Sequence, residues 1–247
     1  MKAIIFTHPK HMNSQSMPRF ASSIADSLKS TGCHVDVISS HRYISKYFKS
    51  PFLSKWLNYI DQFIIFPQLA KSTLKKLPND YLLIFCDQAL GPWVHLAANR
   101  PHVIHTHDLL ALKSALDLIP ENATSKTGKI YQKFIRRGFQ KGLRFIAISN
   151  KTKADLIEFG GIPAHKISVV LNELNFDYRR MPVQEAATVL RRNGFPTPEE
   201  GMILHVGGSQ WYKNKLGIIK IYAAYAARNS NPLALWLVGP KPTGAVA

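Results

Sequence analysis

The sequence predicts an α/β protein, in which a domain built on a parallel sheet is followed by the first β-α-β unit of a second such domain. Short apolar runs alternate with helical patterns through the first 180 residues. Several of these runs are apolar at successive positions, as in strands covered by helices on both faces. An apolar run, a helix-forming stretch and another apolar run then occupy 202–239. We therefore expect a first domain at 1–180, a linker at 181–200 and the start of a second domain at 201–247.

The strands of the first domain are predicted from the apolar runs, in chain order. These runs are Ala3–Thr7, His34–Ser39, Tyr81–Phe85, His102–His107, Arg144–Ile148 and Ile167–Leu171. The first connecting helix carries Phe20, Ile24 and Leu28 at a spacing of four, which predicts one core-facing stripe, and Gly32 ends it. Ser149 is the predicted N-cap of a helix that runs to Phe159.

Two stretches between the strands are rich in Lys, Arg and aromatic residues. In the stretch 41–77, Pro51 and Pro67, with Pro78 just beyond it, are expected to cut the chain into separate helical pieces. The stretch 128–141 is predicted to form one basic helix. Either the aromatic residues face the core and the bases face water, or both lie against an anionic membrane or a lipid-linked acceptor.

Composition restricts the class of partner. The chain has 247 residues, of which 46% are hydrophobic, and its 32 Lys and Arg exceed its 15 Asp and Glu to give a net charge of +17. The positive electrostatic field of such a chain favours binding to nucleotides, phospholipid surfaces or other polyanions. No nucleic-acid-binding motif accompanies the charge, so nucleic acid is not expected as a partner.

The expected location is cytoplasmic, with peripheral contact to the inner face of the plasma membrane. The apolar run at the N-terminus is too short for a signal peptide, and no apolar stretch approaches the roughly 18 residues that a membrane-spanning helix needs. The two cysteines, Cys33 and Cys86, lie in or beside apolar runs and are interpreted as buried thiols in a reducing compartment.

Polar residues follow the predicted strands at their carboxyl ends, where ligands bind in open parallel sheets. Those that we expect at this edge are His8, Ser39, Ser40, Cys86, Asp87, Ser149, Asn172 and Glu173, together with the run His105–Asp108. Asn13, Ser14 and Ser16 precede the first helix, where they would either cap it or bind a phosphate or sugar hydroxyl.

The run HVIHTHD at 102–108 contains the strongest catalytic candidates. On a strand His105 and His107 share one face, and His102 points to the other, where a core role is favoured. His107 at the strand end would act as a base or bind a sugar hydroxyl. Asp108 beside it would take part in the site or only cap the next helix.

The run HVGGSQWYKNK at 205–215 is the strongest anion-binding candidate. Gly207 and Gly208 after a strand let backbone N–H groups approach a phosphate, the following helix N-terminus adds partial positive charge, and Lys213 adds a full one. Asn214 completes the turn. The alternative is an ordinary tight turn with solvated lysines.

The chain resembles the family 4 (group 1) glycosyltransferases, whose two Rossmann-like domains form the arrangement called GT-B. The segments that carry the resemblance are HTHDLLALKSAL (105–116), FIAISNKTKADLIEFG (145–160), ISVVLNELNFDY (167–178) and ILHVGGSQWYKNKLGIIKIY (203–222). The subset it resembles most works on bacterial surface polysaccharides.

The resemblance implies transfer of a hexosyl-type sugar from a nucleotide-diphosphate donor to a glycan or lipid-linked acceptor, with retention and without a metal or other cofactor. It assigns Lys213, with the turn at 207–208 and Asn214, to the donor diphosphate, and His107 with Asp108 to catalysis. Asn13, Ser14, Ser16, Asp87, Ser149 and Asn172 would line the acceptor side. Gly208 stands where the family often has an Arg, and the family's glutamate pair would lie beyond Ala247, so we expect a truncated donor domain.

Two other functions remain open at this point. The chain could be an inactive fragment that binds an anionic membrane or polyanion through its basic surface. The run at 105–108, with His8, His11 and Asp87, could instead begin a metallohydrolase site, although the spacing of these residues matches no specific metal site. Whichever function holds, Leu204, Val206, Leu235 and Leu237 are expected to be exposed and to promote association.

Overall fold

Six parallel strands form the sheet of the N-terminal unit in the computed structural model, which describes residues 1–9, 16–48, 50–97, 99–174, 178–197 and 201–240. The strands run side by side in the order β2-β1-β3-β4-β5-β6. They are β1 (Lys2–Thr7), β2 (His34–Ser39), β3 (Leu82–Phe85), β4 (His102–Thr106), β5 (Arg144–Ala147) and β6 (Ile167–Val169). All six predicted strands are present, and their ends differ from the predicted ends by at most two residues.

Eight α-helices accompany the strands within the described residues. Together with β7 (Met202–Val206) and β8 (Ala234–Val238) they are α1 (Ser16–Ser30), α2 (Pro51–Ile60), α3 (Phe66–Lys75), α4 (Leu110–Ala115), α5 (Lys126–Phe139), α6 (Asn150–Asp155), α7 (Val183–Arg192) and α8 (Lys215–Ala226). None of the helices described is long and apolar enough to cross a membrane.

The central strands of the six-stranded sheet are buried on both faces, which explains their continuous apolar runs. In β1, Phe6 packs on one face against the ring of Phe85, with a centroid distance of 4.7 Å. Ile5 packs on the other face in a cluster that includes Phe20 of α1. Successive side chains of a strand point to opposite faces, so a strand between two helical layers must be apolar throughout.

The basic, aromatic stretch 41–77 is less interrupted than its prolines predict. α2 begins at Pro51, continues through a π-helical turn (Asp61–Ile65) and passes Pro67 into α3. In that turn the N–H of Phe66 donates to the carbonyl of Asp61, five residues earlier. The next bond of this pattern would run from residue 67 to the carbonyl of Gln62, but Pro67 has no N–H to donate. The indole Nε1 of Trp93 donates to that carbonyl instead, at 2.8 Å. The expectation of a break at Pro67 is therefore wrong.

A buried carboxylate fixes the loop that precedes α2. Asp61 is fully buried and accepts hydrogen bonds from the backbone N–H groups of Ile44 (2.9 Å) and Ser45 (3.1 Å). Burial alone would raise the pKa of Asp61, but these hydrogen bonds outweigh it and hold the pKa below its usual value. The loop and the π-helical turn are thus joined by an ionised group.

The chain divides into two units, Met1–Phe176 and Asp177–Ala247. In the second unit, β7 and β8 pair in parallel from Met202 opposite Ala234 to Val206 opposite Val238, with α8 between them in the chain. The segment 181–200, predicted as an irregular linker, contains the helix α7. This helix buries none of its residues, although Val183, Ala186, Ala187 and Leu190 recur at helical spacing.

Candidate functional site

The carboxyl ends of three neighbouring strands in the N-terminal unit carry His8, Asp87 and His107. His8 follows β1, Asp87 follows β3 and His107 follows β4, and parallel pairing brings these ends to one edge of the sheet. Nε2 of His8 lies 2.9 Å from Oδ2 of Asp87, and both side chains are largely buried. The other carboxylate oxygen of Asp87 accepts from the N–H of Ala89 at 3.2 Å. The carboxylate is therefore fixed on both sides.

His107 is held in one orientation at this edge. Its Nε2 lies 3.1 Å from the carbonyl oxygen of Cys86, which can only accept, so the tautomer that forms this bond carries its proton on Nε2. The ring of Phe20 meets the imidazole edge to face, with a centroid distance of 4.4 Å. His107 thus presents Nδ1 as an acceptor for a hydroxyl proton.

His105 lies on the same side of β4 as His107, as the strand periodicity predicts. The ring of Phe20 contacts both imidazoles, at 5.2 Å from His105. Two effects lower the pKa of His105 from 6.5 to about 4. Burial is the larger, and the nearby His107 is the smaller. His105 is therefore neutral at physiological pH.

His102 has the core role that the sequence favours. It is buried, Nε2 accepts from the N–H of Leu143 at 3.1 Å, and Nδ1 lies 2.8 Å from the carbonyl of Arg100. Both ring nitrogens are therefore used within the fold.

Asp108 and Ser149 both hold the start of a helix. Oδ1 of the exposed Asp108 accepts from the N–H of Leu110, the first residue of α4, at 3.0 Å. Oγ of Ser149 accepts from the N–H of Thr152 at 3.0 Å, which confirms it as the N-cap of α6. The hydroxyl of Thr152 donates to the carbonyl of His107 at 3.0 Å, so this cap also holds the backbone of the candidate histidine.

The other predicted acceptor-side residues are spread along the chain. Ser16 is the exposed first residue of α1, and Asn172 is exposed three positions beyond the end of β6. Asn13 and Ser14 lie outside the described residues. Sequence reasoning placed His8 at this edge, after the first strand, and offered it as a possible metal ligand, but it did not predict the pairing with Asp87.

In the second unit, the glycines after β7 let two strand ends approach closely. The N–H of Gly207 donates to the carbonyl of Val238 at 3.0 Å and so extends the β7–β8 pairing. A Cβ on Gly239 would lie 2.1 Å from the carbonyl oxygen of Gly207, which no side chain tolerates. The N–H of Gly207 therefore forms a hydrogen bond of the β7–β8 sheet.

Lys213 and Asn214 lie at the beginning of α8. The ammonium group of the exposed Lys213 lies 5.5 Å from the ring centroid of Tyr212. Asn214 has a left-handed backbone (φ 48°), and its Oδ1 accepts from the N–H of Gly217 at 3.2 Å, so it is the N-cap of the helix. The turn thus combines a helix N-terminus with an exposed positive charge.

A second lysine in this turn was missed by the sequence analysis. Lys215 is buried, and its Nζ lies 3.5 Å from the carbonyl of Pro240, just beyond β8. Its apolar stem is covered while its charge remains at the strand ends. Residue type alone does not separate it from Lys213, because both lysines stand at the start of the same helix.

No three His, Cys, Asp or Glu side chains come together as a metal site in the part of the chain that the structure describes. Metal independence itself stays a prediction.

Comparison with known proteins gives one family match. Residues 17–177 match the family model described as Glycosyltransferase Family 4, which is about two thirds of the chain. A comparison with curated protein sequences finds no match.

Several solved glycosyltransferases share the fold. Anabaena Alr3699/HepE in complex with UDP matches with a TM-score of 0.53 and 17% identity, over 96% of this chain and 61% of HepE. A glycosyltransferase from Rickettsia africae matches with a TM-score of 0.53 and 16% identity, over 97% and 69%. Glycyrrhiza uralensis UGT73P12, complexed with glycyrrhetinic acid 3-O-monoglucuronide, gives 0.54 and 11%, over 99% and 64%. These matches confirm the α/β, Rossmann-like fold, and the chain spans 61% to 69% of these three proteins.

Proposed function

The chain belongs to Glycosyltransferase Family 4, and from that premise we propose that it transfers a sugar from a nucleotide-diphosphate donor to a glycan or lipid-linked acceptor. The observation that carries this proposal is the family match over the N-terminal unit, together with a helix N-terminus and two lysines at the strand ends of the second unit. We propose surface polysaccharide synthesis in bacteria as the setting, at the inner face of the plasma membrane.

The donor diphosphate is proposed to bind at the beginning of α8. The N-terminal N–H groups and the helix dipole favour an anion there, and Lys213 can swing from the Tyr212 ring to pair with it. The backbone of Gly208 is proposed to contact a phosphate, while Gly207 and Asn214 shape the turn. Lys215 adds a fixed positive charge near the carboxyl ends of β7 and β8. Charge-assisted bonds to the departing diphosphate would stabilise the transition state.

The N-terminal unit is proposed to supply the catalytic histidine. His107, with Nε2 directed to the carbonyl of Cys86, offers Nδ1 to a sugar hydroxyl. Asp108 positions the following helix, and Asp87, Ser149, Ser16 and Asn172 are proposed to line the acceptor side with Asn13 and Ser14. We propose retention of anomeric configuration without a metal. The absence of an Asp-x-Asp sequence motif anywhere in the chain supports metal independence.

Donor binding is the direct test, with UDP as the probe because HepE was solved with it. Titration calorimetry should show UDP binding that weakens about tenfold in Lys213→Ala, since loss of one charge-assisted contact costs about 1.5 kcal/mol. Lys220→Ala, an exposed lysine further along α8, is the matched control and should bind like the unaltered chain. Equal affinity in the two variants would remove Lys213 from the donor site.

A further inference from the structure

An exposed apolar stripe runs along the continuous helix formed by α2, the π-helical turn and α3. Leu53, Trp56, Ile60 and Ile64 follow one another at spacings of three, four and four, which puts them on one side of the helix. All four are exposed, Trp56 and Ile64 by more than half. A contiguous row of large apolar side chains in water is uncommon and marks an interaction surface.

The stripe borders a groove that α5 closes from the other side. Its floor is aromatic: the ring of Phe63 lies 5.9 Å from that of Tyr131, and Tyr59 lies 6.0 Å from the same ring. Trp56 and Phe134 also line the groove, which encloses about 680 Å³. A groove with this lining accepts hydrocarbon.

Positive charge predominates on the two segments that line the groove. The stretch 41–77 has seven Lys and Arg and a single acidic residue, Asp61, which is buried and bound by backbone N–H groups. α5 has five Lys and Arg and no acidic residue. Lys133 and Arg137, one turn apart, both line the groove. The partner must therefore offer anionic groups directly beside apolar ones.

We propose that this surface, made of the stripe, the groove and the basic face of α5, rests on an anionic phospholipid bilayer. Trp56 and Phe134 enter the boundary between headgroups and acyl chains, where amphipathic helices bury their apolar side. Lys133 and Arg137 contact the lipid phosphates. This surface is the part of the molecule that would hold the enzyme at the membrane, as the proposed function requires. Whether it binds lipid can be tested independently of donor binding.

Vesicle sedimentation tests the charge. The chain should bind vesicles of equal parts phosphatidylglycerol and phosphatidylcholine, and should bind pure phosphatidylcholine far more weakly. Lys133→Gln with Arg137→Gln should reduce binding roughly thirtyfold at low salt, at about 1 kcal/mol per base. Arg191→Gln with Arg192→Gln, two exposed bases of α7, is the matched control and should change binding much less. Equal losses in the two double variants would overturn the proposed surface.

Tryptophan quenching tests the insertion and separates it from self-association. Lipids brominated in the acyl chain should quench the chain's fluorescence, and Trp56→Ser should remove that quenching, whereas Trp211→Ser, also an exposed tryptophan, should not. Unchanged quenching in Trp56→Ser would contradict the proposal. So would a lipid-independent dimer that Trp56→Ser dissociates, because the occupant would then be a second copy. UDP affinity, measured in parallel, should be the same in Trp56→Ser as in the unaltered chain.

Discussion

Strand β1 of the N-terminal unit buries five of its six residues, whereas none of the five residues of β7 in the second unit is fully buried. Both strands are apolar runs in parallel sheets, and both are followed by a helix. The difference lies in what covers them: helices pack on both faces of the six-stranded sheet, while β7 pairs only with β8 among the described strands. An apolar run thus predicts a strand, and the surrounding layers decide whether it forms a core.

Among the large apolar residues of β7 and β8, the exposed ones are Leu204, Val206 and Val238. Leu235 and Leu237, which the sequence analysis also expected to be exposed, are partly buried. The two sheets are therefore expected to respond very differently to the same kind of substitution.

The largest expected contrast is between Phe85→Ala and Leu204→Ala. Phe85 is fully buried between aromatic neighbours, so its loss should destabilise the N-terminal unit by about 3–5 kcal/mol. Leu204 is more than half exposed, so Leu204→Ala should lower the free energy of unfolding by less than about 1 kcal/mol. Urea denaturation followed by circular dichroism measures both. If the two costs were similar, β7 would be buried in solution.

The second contrast uses pH, because His105 titrates inside the buried sheet. The pKa of His105 in the folded chain is about 4, below the ordinary 6.5. Between pH 4 and 6.5, His105 is therefore protonated in the unfolded chain and unprotonated in the folded chain. Stability from this group is present above pH 6.5 and falls as the pH drops towards 4, by as much as about 3 kcal/mol. His105→Gln should flatten the loss in urea titrations across that window. The exposed His165→Gln is the control, and an unflattened profile for His105→Gln would contradict the assignment.

The smallest expected effect is on association. Exposed apolar strand residues promote contact between copies, so the chain should associate with rising concentration in light scattering. Val206→Lys with Val238→Lys should reduce this association at little cost in stability, since both residues are exposed. A chain that stays monodisperse and monomeric without substitution would show that this face is protected.

Much of the fold was predictable because its signals are local. Apolar runs predicted all eight strands found in the described ranges, the spacing of Phe20, Ile24 and Leu28 predicted α1, and Ser149 predicted the start of α6. The passage through Pro67 was not predictable, because it depends on the indole of Trp93, distant in sequence, which replaces the missing hydrogen bond. α7 was missed although Val183, Ala186, Ala187 and Leu190 recur at helical spacing, so a local signal for it was present.

The candidate site was likewise predictable where its signals are local and unpredictable where they depend on distant contacts. The strand ends placed His107 and Asp87 on one sheet edge, since parallel pairing requires it. The pairing of Asp87 with His8 joins side chains 79 residues apart, and the direction of the His107 ring depends on a backbone carbonyl 21 residues away, so sequence spacing carries no signal for either. The separate environments of Lys213 and Lys215 likewise arise only when the helix is set against the strand ends.

By itself the sequence determined the alternation of strands and helices, the positive charge and the polar strand ends, because each depends on residue type and short spacing. Only the tertiary structure decided which apolar residues are covered, which way the histidines point and which aromatic residues form a groove with the bases of α5. Those outcomes depend on contacts between elements far apart in the chain, and packing fixes them after the local structure has formed.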